Sequence, residues 1–235
     1  ENHGTLAGAG TITAWFENHG AINPTDGAEI KITGARPSTP TIGAQFMSGT
    51  FFGGGGRVVL DGVVDTVHEF AGFVGSSGSL NLRSSGRYRG HAAILSGVAE
   101  WRSGTFEGAW VNGATLTQST LSGLLPVKRG IAHKLTNLRR IEMNREFLFR
   151  NGAVLLNHGI VSLTSPWDTN LLGTTGGEDE VLHNRGILQT DRSVTVIRDV
   201  RLENYGLLTL GGTSTLRYDN DDALVNFGTI AGTGT

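Results

Sequence analysis

Cysteine is absent from the 235 residues, which excludes disulfides and thiolate metal centres and leaves stability to packing alone. Charged residues are sparse at 17%, with a formal net charge of -2, so the chain has no general attraction for nucleic acid or for acidic membrane surfaces. No apolar run approaches the ~18 residues a membrane helix requires, so no membrane insertion is expected. Glycine is the residue in excess, at 36 of 235, about twice the usual share. With 38% apolar residues and no collagen period, this reads as turn glycine in a folded body.

The glycines fall into a phrase. An aliphatic or aromatic residue, one spacer, Asn-x-Gly, and an aliphatic two residues after the glycine recur around Asn2, Asn18, Asn157, Asn184, Asn204 and Asn226. The partner glycines are Gly4, Gly20, Gly159, Gly186, Gly206 and Gly228. A repeat of this size signals stacked supersecondary units rather than a single globular core. Spacings of 16, 27, 20 and 22 residues between neighbouring copies suit one coil of a β-solenoid.

Side chains alternate with period two around each copy, which is the strand signal. The residues two before Asn (Phe16, Leu155, Leu182, Leu202, Leu224) and four after it (Leu6, Ile22, Val161, Leu188, Leu208, Ile230) are expected to point inward. Glu1, Glu17, His183 and Glu203 are expected to face solvent. In the turn itself, Asn tolerates the left-handed backbone region and can bond the equivalent amide one coil away, while Gly adopts positive φ freely. The twelve Asn and Gly positions are therefore read as a structural turn ladder.

Residues 46–125 repeat a looser rhythm and read as further coils with different turns. The stretch 34–43, with Pro37 and Pro40, is the candidate protruding loop. Residues 128–150 are rich in Arg, Lys, Leu and Glu, yet Ile141, Met143, Phe147 and Phe149 alternate, which favours strand over helix. The predicted fold is all-β, a parallel β-helix of about 10 coils. One segment over 1–235 is expected, forming a rod on the order of 50 Å.

The wording of Gly4-Thr5-Leu6-Ala7-Gly8-Ala9-Gly10-Thr11-Ile12-Thr13 and of Phe16-Glu17-Asn18-His19-Gly20-Ala21-Ile22-Asn23-Pro24 resembles that of bacterial extracellular β-helix proteins. These are autotransporter passenger domains, filamentous-haemagglutinin-like adhesins and giant repetitive surface proteins. The resemblance implies a right-handed single-stranded parallel β-helix, an extracellular or cell-surface location, and structural, adhesive or display roles. Its repeats carry no catalytic motif. The bulky residues His3, His19, His158, Arg185, Tyr205 and Phe227 between Asn and Gly depart from the small residues common in that phrasing. The copy at Asn226–Thr235 repeats the one at Asn2–Thr11, so the chain reads as a unit of a longer array, with neighbouring segments of its own kind as partners.

Asp61 and Asp65 lie four apart and could share a strand face, as general acid/base cleavage of a polysaccharide needs. Neither a polygalacturonase-like nor a pectate-lyase-like cluster accompanies them, so no enzyme and no catalytic residue is expected. A lyase, a hydrolase or an acidic-glycan-binding module remains the alternative. The turns Glu178-Asp179-Glu180 and Asp219-Asn220-Asp221-Asp222 carry hard oxygen ligands; of these, Asp219, Asp221 and Asp222 form the better Ca²⁺ candidate, and no other cofactor is expected. His3 and His19 could stack about 5 Å apart on adjacent coils. The sequence shows no third or fourth ligand for zinc, so surface ring stacking is the expectation. Lys128, Arg129, Lys134, Arg139, Arg140, Arg145 and Arg150 could form a patch for surface glycans or for a partner's carboxylates. Trp15, Trp101, Trp110 and Trp167 are expected to be mainly core rings.

Overall fold

Period-two alternation, turn glycines and aliphatic columns are satisfied together when each short strand lies on its equivalent one coil away. In the computed structural model every described strand pairing is parallel. No helix occurs among the described residues, which are 1–33, 44–63, 66–119, 129–164, 169–173, 180–191, 194–219 and 224–233. The fold is an all-β solenoid of stacked parallel coils. The loop expected at 34–43 and residues Asp65, Lys128, Trp167, Glu178, Asp179, Asp221 and Asp222 lie outside the described residues.

The chain divides into two units, Glu1–Val127 and Lys128–Thr235. In the first, one column stacks Ile12, Ile32, Leu60, Leu82, Trp101 and Gln118 in register. Ile32, Leu60, Leu82 and Trp101 of that column are buried. A second column runs from Leu6 through Ile22 to Phe52. The later coils of this unit consist of long strands, Val67–Leu82, Arg87–Trp101 and Gly104–Gln118. They turn corners without breaking because Gly72, Ala92 and Gly108 take φ of 60°, 53° and 77° and the pairing shifts register beside Ala92. Their interior is aromatic: Phe106 meets Trp101 at 4.8 Å and Trp110 at 4.9 Å between ring centroids, both edge-on. The buried indole N–H groups donate to backbone carbonyls, Trp101 to Ser103 and Trp110 to Tyr88 and Glu107. Trp15, by contrast, is half exposed.

The second unit is more regular. Its strands Arg129–Asn137, Phe147–Asn157, Val181–Asn184, Arg201–Asn204 and Leu224–Asn226 stack in that order. Leu135, Leu155, Leu182, Leu202 and Leu224 form one inward column; Ile141, Val161, Leu188, Leu208 and Ile230 form another. Apart from Leu224 and Ile230, all are buried, each worth about 1.5–3 kcal/mol. The arginine-rich stretch 129–150 is strand, and Ile141, Met143, Phe147 and Phe149 are fully buried on its inward face.

Candidate functional site

The asparagine column is the most ordered polar feature of either unit. Asn137, Asn157, Asn184 and Asn204 are fully buried. Each donates through Nδ2 to Oδ1 of the next: Asn137 to Asn157 at 2.7 Å, Asn157 to Asn184 at 2.7 Å, Asn184 to Asn204 at 2.6 Å and Asn204 to Asn226 at 2.7 Å. Each Nδ2 also donates to a carbonyl of the next coil: Ile160, Ile187, Leu207 and Thr229 in turn. The column has a direction, with donors aimed toward higher residue numbers and acceptors toward lower ones. In the first unit Asn2 donates to Asn18 at 2.6 Å, and Asn18 then donates to the buried Thr50 hydroxyl, which in turn donates to the Asn18 carbonyl.

Two features of this column differ from the sequence reading. Asn137 belongs to it although Arg139 stands where the glycine should be, so a search keyed to Asn-x-Gly misses it. The glycines themselves are not required for a left-handed turn: neither the motif asparagines nor the motif glycines adopt positive φ. The constraint is close approach instead. A Cβ on Gly20 would lie 2.0 Å from the Gly4 carbonyl oxygen, and on Gly186, Gly206 and Gly228 2.1, 2.2 and 2.2 Å from the oxygens of Gly159, Gly186 and Gly206. Those carbonyls accept hydrogen bonds from Ala21, Ile187, Leu207 and Thr229 of the next coil, so they cannot swing aside.

Between Asn and Gly, the side chains of Leu138, His158, Arg185, Tyr205 and Phe227 are exposed in successive coils. The Arg185 guanidinium lies 5.8 Å from the Tyr205 ring centre, and Tyr205 stacks on Phe227 at 5.0 Å and 14°. The Tyr205 hydroxyl donates to Glu203 at 3.1 Å, which holds it above the usual phenol range. Glu203 also meets His183 at 2.9 Å and Arg201 at 2.8 Å.

Of the basic residues, Arg129, Lys134, Arg139, Arg140, Arg145 and Arg150 are among those described. They occupy three strands and two turns of the coil. Arg129 is buried at 4% exposure; burial, then the neighbouring Arg145 guanidinium, push its pKa down to about 10. Arg140 pairs with Glu142 at 2.7 Å. Arg145 and Arg150 are half-buried, leaving Lys134 and Arg139 exposed. Among the carboxylate candidates, Asp61 is neutralised by Lys31 at 2.6 Å, with Arg83 at 4.0 Å and the Gly62 N–H on its other oxygen at 2.9 Å. Beside it His68 is fully buried, its Nε2 3.2 Å from the Asp61 carbonyl, its ring stacked on Tyr88 at 5.7 Å. Desolvation lowers its pKa to about 4 against the opposing influence of Asp61. Asp219 pairs with Arg198 in the backbone register.

The histidine pair stacks as the sequence reading expects, but with acidic neighbours that reading did not bring together. His3 and His19 stack at 5.0 Å and 11°, and two carboxylates adjoin them. His3 Nε2 is 3.2 Å from Glu1 Oε1, and His19 Nε2 is 3.8 Å from the same oxygen and 3.9 Å from Glu17 Oε2. The parallel bridge between Asn2 and Asn18 creates this group by bringing Glu1 beside Glu17 and His3 beside His19. Comparison with models of protein families, with curated proteins and with solved structures found no match.

Proposed function

We propose that the chain is a structural or adhesive segment of an extracellular, surface-displayed β-solenoid protein, of the bacterial kind its phrasing resembles. The observation that supports this most is the buried asparagine column of the second unit. Every coil offers the next the same amide donor that it receives from the one before. Such a lattice extends without change of chemistry, and its next coil can come from the same chain or from another copy. Work in this reading is done by a stiff, repetitive body and by what its outer columns display. Surface glycans are the partners proposed for the exposed column Arg185, Tyr205 and Phe227 and for Lys134 and Arg139, since rings and cations together suit sugars bearing acidic groups.

The location is tested with antibodies against this segment on intact and permeabilised source cells. Labelling of intact cells that protease shaving removes is the expected outcome; labelling that requires permeabilisation overturns the proposal. Adhesion is tested on a glycan array at low and high salt. Binding that is lost in the double variant Tyr205→Ala/Phe227→Ala and weakened by salt supports the display role, and binding indifferent to these changes rejects this column.

A further inference from the structure

In parallel stacked coils each outward residue lies on its equivalent, about 4.8 Å away, so the chemistry of a surface column depends on what repeats. In the first unit other outward charges meet opposite charges. Arg89 sits between Glu69 at 3.2 Å and Glu107 at 3.5 Å, and Lys31 meets Asp61. At the first two coils the phrase Glu-Asn-His-Gly is instead repeated without change. Imidazole stacks on imidazole, and carboxylate is set beside carboxylate, an arrangement of like charges that opposes pairing. A cation held between them removes that opposition.

We propose that Glu1, Glu17 and His19 form a binding site for a transition-metal dication of the zinc class. One ligand atom from each lies within 4.8 Å of the other two. The separations of 3.8 Å and 3.9 Å from His19 Nε2 to the two carboxylates need close only a few tenths of an ångström, and the carboxylate oxygens, within 4.8 Å of each other, close onto the same ion by side-chain rotation. Zinc bonds of about 2.0–2.2 Å set tetrahedral ligand atoms about 3.4 Å apart. The nitrogen and mixed carboxylate donors favour zinc, nickel or copper over calcium or magnesium, which take six or more oxygens. His3 Nε2, 3.2 Å from the Glu1 oxygen, orients that carboxylate as a positioning residue, leaving the fourth coordination place to water. Phe46 lies across the far side of His19 at 6.2 Å between ring centroids. Together with the His3 ring it limits water around the imidazole, whose side chain is 28% exposed against 67% for His3.

The test is calorimetric titration of the tag-free chain with zinc chloride, alongside thermal melts with and without the metal. The site predicts saturable binding of one zinc per chain and a metal-dependent rise in Tm, because a ligand bound only by the folded state stabilises it. Both signals should vanish in His19→Ala and in Glu17→Gln, fall about tenfold in affinity in His3→Ala, as for loss of an outer-sphere partner, and persist in His158→Ala and His183→Ala. Magnesium chloride should give no saturable heat. Melting of the metal-free variants at the wild-type temperature separates loss of the site from loss of the fold. Absence of saturable binding, or binding that survives both His19→Ala and Glu17→Gln, overturns the proposal.

Discussion

Replacing Asn184 by alanine tests the asparagine column where it is best defined. Asn184 accepts from Asn157 at 2.7 Å and donates to Asn204 Oδ1 at 2.6 Å and to the Leu207 carbonyl at 3.1 Å, all in an environment closed to water. Loss of three hydrogen bonds at about 1 kcal/mol each, plus about 1–3 kcal/mol for the Asn204 oxygen left buried without a donor, gives a cost of about 4–6 kcal/mol. Asn157 keeps its bond to the Ile187 carbonyl, which prevents a larger loss. The informative control is Asn226→Ala. Asn226 is exposed, accepts from Asn204 and donates only within its own turn, to Gly228 at 3.2 Å. Water can replace it, so its removal should cost about 1 kcal/mol or less. Equilibrium unfolding in urea gives the global cost. Hydrogen exchange of peptides covering 180–210 gives the local one, which matters because stacked repeats need not unfold as one unit. A cost below about 1 kcal/mol for Asn184→Ala, or equal costs for the two variants, would refute the reasoning that burial makes this ladder a source of stability.

Three further outcomes are expected. Gly186→Ala should cost about 3 kcal/mol, the upper end for overpacking, because its Cβ meets a Gly159 carbonyl oxygen already accepting from Ile187; unfolding in urea at the wild-type midpoint would show that close approach is not the constraint. Ala92→Gly should raise stability by about 0.5–1 kcal/mol, since it relieves a left-handed residue at φ 53° at the expense of a more flexible unfolded chain; a lower Tm would contradict this. His68 should make the fold acid-sensitive. With its folded pKa near 4 and its ordinary value 6.5, the imidazole is neutral in both states above pH 6.5. Below that the unfolded chain takes the proton first, so stability is lost as pH falls toward 4, by up to about 3 kcal/mol. Asp61, Lys31, Arg83 and Tyr88 surround it in wild type and variant alike, so the difference between wild type and His68→Asn isolates the imidazole. Identical pH dependence of the two between 6.5 and 4.5 would sink this assignment.

The fold class was legible because the repeat carries its own test. Alternation places Leu182, Leu202 and Leu188, Leu208 on one face, and the spacing of the asparagines returns the chain to the same corner. The amide-to-amide bonding of the column follows from the same register. What could not be read was anything set by distance between coils. Positive φ was the natural explanation for glycine in a turn, but the oxygen lying about 2 Å from the absent Cβ of Gly20, Gly186, Gly206 and Gly228 belongs to another coil and leaves no local trace in sequence. Asn137 was hidden because Arg139 breaks the phrase that announces its neighbours. The exposure of each residue in the basic stretch was not legible from its composition. A strand sends alternate side chains to opposite faces and the chain then turns, so Arg129 is buried while Lys134 and Arg139 are exposed. The carboxylates beside His3 and His19 were visible as letters, but their convergence requires knowing that Asn2 lies against Asn18.

We propose that the repeated coils of the second unit, joined by a directional amide column, make a body whose role is to extend and display. The most direct test is electron microscopy with fibre diffraction on the protein purified from its native source. Elongated particles with an axial repeat of about 4.8 Å are the predicted result, whereas only short, monodisperse, globular particles without that repeat would contradict the account.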